Sequence, residues 1–424
     1  MTCPRNRFKG SLKSFILTFL NATQKAQPMF QHLAPYAGDP ILSLVETFNR
    51  DPRAHKINLS IGIYFDNDGN MTQPESVKTA EQRVGMGAKA YLPMEGHAGL
   101  RAELPRLLFG ANHRVIAENR VTTVQTLGGS GALRLGADLL HNAFGNSKVL
   151  MSDPTWDNHR GIFAAAGFEL GSYPYYDPAT IGVKFAEMCE CLNRQPENTI
   201  ILLHPCCHNP TGVDLSPAQW DEVLHIIAAR QLIPFMDIAY QGFGDDFDRD
   251  AYAIRRAADL GLPVLVSSSF SKNMSLYGQR AGGLMVVSPN AEEAALVLGQ
   301  LQLGVRRIYS SPPVQGGLTA YHVLSDPQLA AQWQSEVYAM RDRIRAMRQR
   351  IYEVLQSKLP KRDFGYFVKQ RGMFSYTGLS AAQVHRLREE FAIYLLDSGR
   401  MCIAGLNDSN VNTVADAFVA VFKG

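Results

Sequence analysis

The sequence predicts an α/β fold built on a largely parallel sheet. Through the middle of the 424-residue chain, short apolar runs alternate with stretches of helical periodicity, as in strand–helix–strand units. No internal repeat, low-complexity tract or Pro/Gly/Ser-rich linker interrupts this alternation. The six runs predicted as strands share β-branched or large apolar side chains: residues 121–126, 148–152, 199–204, 233–237, 264–268 and 283–287.

Capping signals indicate where two of the helices begin. Ser216 followed by Gln219 forms a capping box ahead of apolar residues at helical spacing, and Ser380 with Gln383 repeats it. A long helix is predicted over residues 335–359, because apolar side chains recur along it at helical spacing.

The pattern beyond this long helix becomes mixed α+β, which predicts a second, smaller domain. We expect a large domain over residues 73–337. The smaller α+β domain would combine residues 29–72 with residues 338–424.

Composition excludes several classes of protein. Apolar residues make up 46% and charged residues 19%, as in ordinary globular chains, and the net charge is only +3. Nucleic acid or an acidic membrane surface is therefore not expected as a main partner. The six cysteines contain no C-x-x-C pair, so no metal site is predicted, and reduced thiols in a cytoplasmic protein are expected.

Residues 1–28 combine basic side chains with the apolar run 15–20 and contain no acidic residue. The segment resembles a weak signal-peptide core or a transit peptide. We expect instead a disordered tail, or a segment that is not translated, ahead of a start at Met29. The run is too short to span a bilayer.

Polar side chains follow three of the predicted strands. Asn209 comes after the strand at 199–204, Asp237 and Tyr240 after the next, and Ser269 and Lys272 after the one at 264–268. Ligands in parallel sheets bind beyond the carboxyl ends of the strands, so these side chains should converge at one edge.

Such a set suits a pyridoxal cofactor. Lys272 can form an imine with its aldehyde, Asp237 can keep the ring nitrogen protonated, and Tyr240 with Asn209 can donate to the phenolate oxygen. Ser269 with Arg280 could bind the phosphate.

The run Gly128-Gly129-Ser130-Gly131 supports an anion site, because it follows a predicted strand and opens the predicted helix 132–141. Each element alone has another interpretation. Ser269-x-x-Lys272 matches a serine-nucleophile motif, but its S-D-N and K-T-G partners are absent. A dinucleotide loop would need glycine where Arg134 stands.

Longer strings carry a resemblance to a known family. HPCCHNPTG from His204, DIAYQGF from Asp237, SFSK from Ser269, LYGQR, YSSPP and GMFSYTGLS resemble the class I aspartate/aromatic aminotransferase family. Within it, the chain is most similar to the branch of bacterial tyrosine (aromatic-amino-acid) aminotransferases. The likeness extends from about Met29 to the C-terminus.

The resemblance implies a transferase of fold type I that depends on pyridoxal 5′-phosphate. Lys272 would hold the cofactor and move the α-proton, and Asp237 would pair with its ring nitrogen. Tyr240 and Asn209 would bond its phenolate oxygen, and Trp156 would stack on its ring. The residues that would surround the phosphate are Gly128, Gly129, Ser130, Ser269, Ser271 and Arg280, with Tyr91 of a second subunit.

The resemblance also implies a substrate site shared across a homodimer. Arg400 would bind the α-carboxylate, and Gly62, Trp156 and Asn209 would lie beside the substrate. Arg306 would reach a distal carboxylate from the other subunit. Sequence alone leaves open whether Arg306 or the adjacent Arg307 points inward.

The expected activity is transfer of the amino group of tyrosine, phenylalanine or aspartate to 2-oxoglutarate by a ping-pong mechanism. The expected partners are amino acids and 2-oxo acids. A β-lyase on the same scaffold is an alternative, since removal of the α-proton is the shared first step. A non-catalytic cofactor-binding regulator is a further alternative, but residues 1–28 lack a helix-turn-helix pattern.

Overall fold

A seven-stranded sheet forms the centre of the protein in a computed structural model that describes residues 29–36 and 38–423. Its strands, in chain order, are β1 (Val121–Leu127), β2 (Lys148–Asp153), β3 (Glu169–Pro174), β4 (Ile200–Leu203), β5 (Ile233–Ile238), β6 (Val264–Ser269) and β7 (Ala281–Val287). Their order across the sheet is β1-β7-β6-β5-β4-β2-β3.

Strand direction confirms the prediction of a largely parallel sheet. β3, β2, β4, β5 and β6 pair in parallel, and β7 is antiparallel to both of its neighbours, β6 and β1. All six predicted strands are present, with ends that differ by at most two residues. The sequence did not predict β3, an edge strand in which Tyr173 is the only buried residue, because its run is too polar to read as a strand.

Alternate residues of the strands pack on opposite faces of the sheet. In β4, Ile200 and Leu202 belong to one apolar cluster, and Ile201 and Leu203 belong to the other. Strands of a parallel sheet are apolar on both faces because helices cover both of them.

Helices surround the sheet and also form part of the smaller portion of the chain. Their bounds are Pro40–Arg50, Glu75–Val84, Ala98–Phe109, Arg114–Ala117, Gly128–Phe144, Asp157–Ala165, Phe185–Asn193, Pro217–Ala229, Phe247–Asp250, Tyr252–Asp259, Ala291–Ile308, Val314–Ser325, Pro327–Lys358, Tyr366–Lys369, Ala381–Phe391 and Val411–Lys423, with a 3-10 turn at Ile403–Gly405.

Both predicted capping boxes are present, at Ser216 and at Ser380. The long helix begins earlier than predicted, at Pro327, because the carboxylate of Asp326 accepts the first backbone N–H groups. The helix predicted to start at residue 132 begins at Gly128, directly after β1.

Short strand pairs lie outside the central sheet. Ile57–Asn58 pairs in parallel with Ile393–Tyr394, and Phe374–Tyr376 pairs antiparallel with Arg400–Cys402. Two further residue pairs form the hairpin of Tyr176–Asp177 and Gly182–Val183.

The long helix Pro327–Lys358 runs through the predicted domain boundary near residue 338. The exact bounds of the two domains therefore stay a prediction. The extension predicted for residues 1–28 lies outside the described residues. Among the helices of the described chain, none combines the length and the apolar character that crossing a membrane requires.

The long helix is tied to the segment that carries Lys272. Trp333 is fully buried, and its indole Nε1 donates to the carbonyl oxygen of Asn273 at 2.7 Å. We expect Trp333→Phe to lower the free energy of unfolding by about 1–3 kcal/mol, because it leaves a buried carbonyl oxygen unpaired. Urea denaturation followed by circular dichroism measures this change.

Trp220→Phe is the matched control for this prediction. Trp220 is also buried, but its indole nitrogen has no hydrogen-bond partner among the described residues. An equal loss of stability in both variants would contradict a role for the Trp333 hydrogen bond.

Candidate active site

A cavity of about 350 Å³ opens beyond the carboxyl ends of β4, β5 and β6. Of the fifteen residues predicted for the site, twelve line it: Gly62, Gly129, Ser130, Trp156, Asn209, Asp237, Tyr240, Ser269, Ser271, Lys272, Arg280 and Arg400. The parallel strands bring them together as expected, because Asp237 lies near the carboxyl end of β5, and Asn209 and Lys272 follow the neighbouring strands β4 and β6.

Lys272 lies three residues after the end of β6, and its side chain faces the cavity. Its Nζ lies 5.0 Å from the centroid of the Tyr240 ring. Burial lowers the pKa of Lys272 to about 8, with Asp237 opposing the change and Arg280 and Arg400 adding to it. An amine with this pKa exists partly in its nucleophilic, neutral form near neutral pH.

Asp237 lies in β5 and is held by groups on both carboxylate oxygens. Ser267 donates from Oγ to Oδ1 at 2.9 Å, and Nε2 of His159 lies 3.2 Å from Oδ2. Burial raises the pKa of Asp237, but the hydrogen bond and charge of His159, with smaller contributions from His204 and Ser267, together hold the pKa below its ordinary value. The carboxylate is therefore ionised, and it can stabilise a proton held by a ligand.

His159 is a site residue that sequence reasoning missed. Its Nδ1 lies 2.8 Å from the Oγ1 of Thr155, and this contact fixes the ring. Two further buried histidines lie beyond it. The ring centroids of His159 and His204 are 5.1 Å apart, and those of His204 and His208 are 4.3 Å apart. Burial lowers the pKa of His204 to about 3 and that of His208 well below its ordinary value, so both rings are neutral.

The predicted anion site is built where β1 turns into the helix Gly128–Phe144. Gly128 has a φ of +62°, and a Cβ there would lie 2.7 Å from a guanidinium nitrogen of Arg280. Ser269 donates to Ser271 at 3.0 Å, and Nη1 of Arg280 donates to Ser271 Oγ at 3.3 Å. Backbone N–H groups of the first helical turn, two hydroxyls and a guanidinium therefore surround one point.

Arg400 provides a second cation at the cavity. It is only 3% exposed, its Nη2 donates to the carbonyl oxygen of Ser60 at 2.7 Å, and its Nη1 donates to Oδ1 of Asn209 at 3.3 Å. The guanidinium carbon lies 4.2 Å from the centroid of the Phe374 ring. Among the described residues, Arg400 forms no ion pair and its Nε has no hydrogen-bond partner, so it can bind a carboxylate.

Gly62 lies where a side chain would collide with the wall of the cavity. A Cβ at this position would lie 2.8 Å from the Phe374 ring. Phe374, Tyr277 and Ile41 also line the cavity, and the sequence analysis assigned no role to them. The signal for Tyr277 and Phe374 was present in the strings LYGQR and GMFSYTGLS, whereas Ile41 had none.

Three predicted residues do not line the cavity. Gly128 lies immediately beneath Arg280, as described above. Tyr91 is 95% exposed, and Arg306 is exposed with its Nη1 bonded to the Oγ of Ser310 at 2.6 Å. Arg307 is exposed as well.

The chain is similar to known proteins over most of its length. The model of the family described as aminotransferase class I and II matches residues 54–418. An aromatic-amino-acid aminotransferase of Escherichia coli is 58% identical over 93% of the chain and all of that relative.

Solved structures match the whole fold. A crystal structure of an aromatic-amino-acid aminotransferase from Burkholderia pseudomallei, covalently bound to pyridoxal phosphate, has a TM-score of 0.90 and 48% identity, covering 93% of this chain and 99% of that one. A psychrophilic aromatic amino acid aminotransferase from a Psychrobacter species, cocrystallised with aspartic acid, has a TM-score of 0.92 and 54% identity, covering 93% and 100%.

The pKa of Lys272 can be tested on the protein without cofactor. Modification of Lys272 by a small amine-directed reagent, located by peptide mapping, should show a midpoint near pH 8. Asp237→Asn should move the midpoint lower, since the carboxylate stabilises the protonated amine. A midpoint near the ordinary lysine value of about 10.4 would contradict the effect of burial.

Proposed function

The chain belongs to the aminotransferase class I and II family, and from this premise we propose how its buried cavity carries out amino-group transfer. The protein is a pyridoxal-phosphate-dependent aminotransferase that acts on aromatic amino acids and aspartate. The observation that carries the proposed mechanism is the convergence of Lys272, Asp237 and Arg400 on one cavity.

The residues present fit the cofactor. The cradle of the first helical turn, Ser269, Ser271 and Arg280 would hold its phosphate, and the close approach of Arg280 to Gly128 leaves no room for a side chain there. Asp237 would accept a hydrogen bond from the ring nitrogen. Tyr240 and the amide of Asn209 would donate to its phenolate oxygen, and Trp156 would cover one face of its ring.

Pyridoxal phosphate, when bound, supplies an aldehyde that takes up the amino group and a ring that accepts electrons from the α-carbon. Lys272 would hold the aldehyde between turnovers. Its lowered pKa would let the free amine of Lys272 accept the proton of the substrate α-carbon and donate it to the carbon that the aldehyde supplies. Asp237 would keep a proton on the ring nitrogen, because His159 and Ser267 stabilise the negative charge of its carboxylate.

Arg400 orients the substrate. Its planar guanidinium can take the α-carboxylate in a two-point contact, and Phe374 beneath it limits its movement. Its burial excludes water from that contact and so strengthens it. This arrangement suits any α-amino acid, so the choice between aromatic and dicarboxylic side chains depends on other residues.

We propose that tyrosine, phenylalanine or aspartate donates its amino group to 2-oxoglutarate in two half-reactions. A coupled assay should detect glutamate formed from each donor. A β-lyase would release pyruvate and ammonia instead, so analysis of products distinguishes the two reactions.

We also propose that the protein is a homodimer located in the cytoplasm. Tyr91 and Arg306 are exposed on the single chain, which is what residues that act on a neighbouring subunit's site require. All five cysteines of the described residues are free, which suits a reducing compartment. Sedimentation of the purified protein would give the number of subunits.

Replacement of the lysine tests the mechanism. We expect Lys272→Ala to lower kcat for every donor by at least about 10⁴-fold, because both covalent attachment and proton transfer are lost. Lys78→Ala, at an exposed lysine on a surface helix, is the control. Steady-state rates near the original value in Lys272→Ala would overturn the proposed role.

Two neighbouring variants resolve which arginine meets a distal carboxylate. We expect Arg306→Ala to reduce kcat/KM for aspartate by about 10- to 100-fold, because a charge-assisted hydrogen bond is lost. The kcat/KM for tyrosine should stay within about threefold of its original value. Arg307→Ala should leave both substrates nearly unchanged. The reverse pattern would assign the role to Arg307, and equal losses for tyrosine and aspartate would contradict it for either residue.

A further inference from the structure

A second cavity, of about 490 Å³, lies between the long helix Pro327–Lys358, the segment 243–244 and the segment 368–372. It shares no lining residue with the cavity that contains Lys272. Five cationic residues line it and no acidic residue does: Arg341, Arg345, Arg348, Lys369 and Arg371.

The helix spacing explains how three of the cations face one space. Arg341, Arg345 and Arg348 are separated by four and three residues, so they lie on one face of the helix. Lys369 and Arg371 approach from the opposite wall. Like charges held this close repel one another, and a bound anion would relieve that repulsion.

Arg348 is the fixed charge of this cavity. It is only 2% exposed and has no carboxylate partner among the described residues. Its Nη atoms donate instead to the carbonyl oxygens of Phe367, Gly372 and Phe374, at 3.0, 2.8 and 2.5 Å. Its Nε is buried with no hydrogen-bond partner in the described chain. Burial lowers the pKa of Arg348 to about 10, which still leaves it charged at neutral pH.

Carboxylates at the edge of the cavity neutralise only part of the charge. Asp245 accepts from Arg345 at 3.0 Å and also from Arg371, so one carboxylate serves two guanidiniums. Asp342 pairs with Arg341 at 2.8 Å. Lys369 has no ion pair among the described residues, and Arg345 and Arg371 share the carboxylate of Asp245. The buried carboxyl of Asp214 attracts Arg348 and Arg371 without a direct ion pair, so four of the five cations lack a full counter-charge of their own.

We propose that this cavity binds a small oxyanion that carries two or more negative charges, as a second anion site apart from those of cofactor and substrate. Phosphate and carboxylate groups share the geometry that arginine recognises, so the chemical class is a polyphosphate or a polycarboxylate. The site lies directly behind the substrate carboxylate clamp, because Arg348 bonds the backbone of Phe374, whose ring packs on Arg400.

Isothermal titration calorimetry of the holoenzyme tests this site, with inorganic pyrophosphate and citrate as probes at constant ionic strength. Saturable binding of at least one probe is expected, and the stronger probe identifies the class. Arg345→Gln and Lys369→Ala should each weaken it by at least about fivefold. Lys369 is exposed, so its replacement leaves the fold intact.

Arg350→Gln is the matched control, since Arg350 is exposed on the same helix and does not line the cavity. Its affinity for the probe should stay within twofold of the original. Absence of saturable binding, binding unchanged by both cavity variants, or an equal loss in Arg350→Gln would overturn the proposal.

Discussion

The site depends on the electrostatic coupling between an amine and a carboxylate that adjacent parallel strands carry into one cavity. β5 brings Asp237 and β6 leads to Lys272, and the register of the two strands fixes their separation. Burial disfavours the charged form of both groups, but only the amine yields to it. It favours the neutral amine, whereas the hydrogen bonds of His159 and Ser267 preserve the charged carboxylate. The neighbouring strands β5 and β6 thus place a proton acceptor and a fixed negative charge in the same cavity.

The sequence predicted the sheet and the position of the site because both are written in local patterns. Strands β1, β2 and β4–β7 are short apolar runs, and the carboxyl ends of β4–β6 carry polar residues within short, specific strings. β3 was missed because its run is polar, and Tyr173 is its only buried residue. Local capping chemistry likewise predicted the helix starts at Ser216 and Ser380.

Residues that act through distant partners could not be predicted. His159 supports Asp237 from 78 positions away in the chain, and nothing in its neighbourhood signals that contact. The cationic cavity could not be predicted from the sequence either, because only Arg341, Arg345 and Arg348 of its five cations show helical spacing. Lys369 and Arg371 join them through the fold. Tyr91 and Arg306 stand exposed on the single chain, so their assigned roles stay predictions.

The helix Pro327–Lys358 is hydrogen-bonded to the surroundings of the active site at two separate points. Near its beginning Trp333 bonds the residue after Lys272, and further along Arg348 bonds the residue beneath Arg400. Fifteen residues of helix set these anchors about 22 Å apart. Because the helix is stiff, a rotation of the helix about one of these contacts would displace the other. Loosening either anchor would change how the lysine and the carboxylate clamp align with each other.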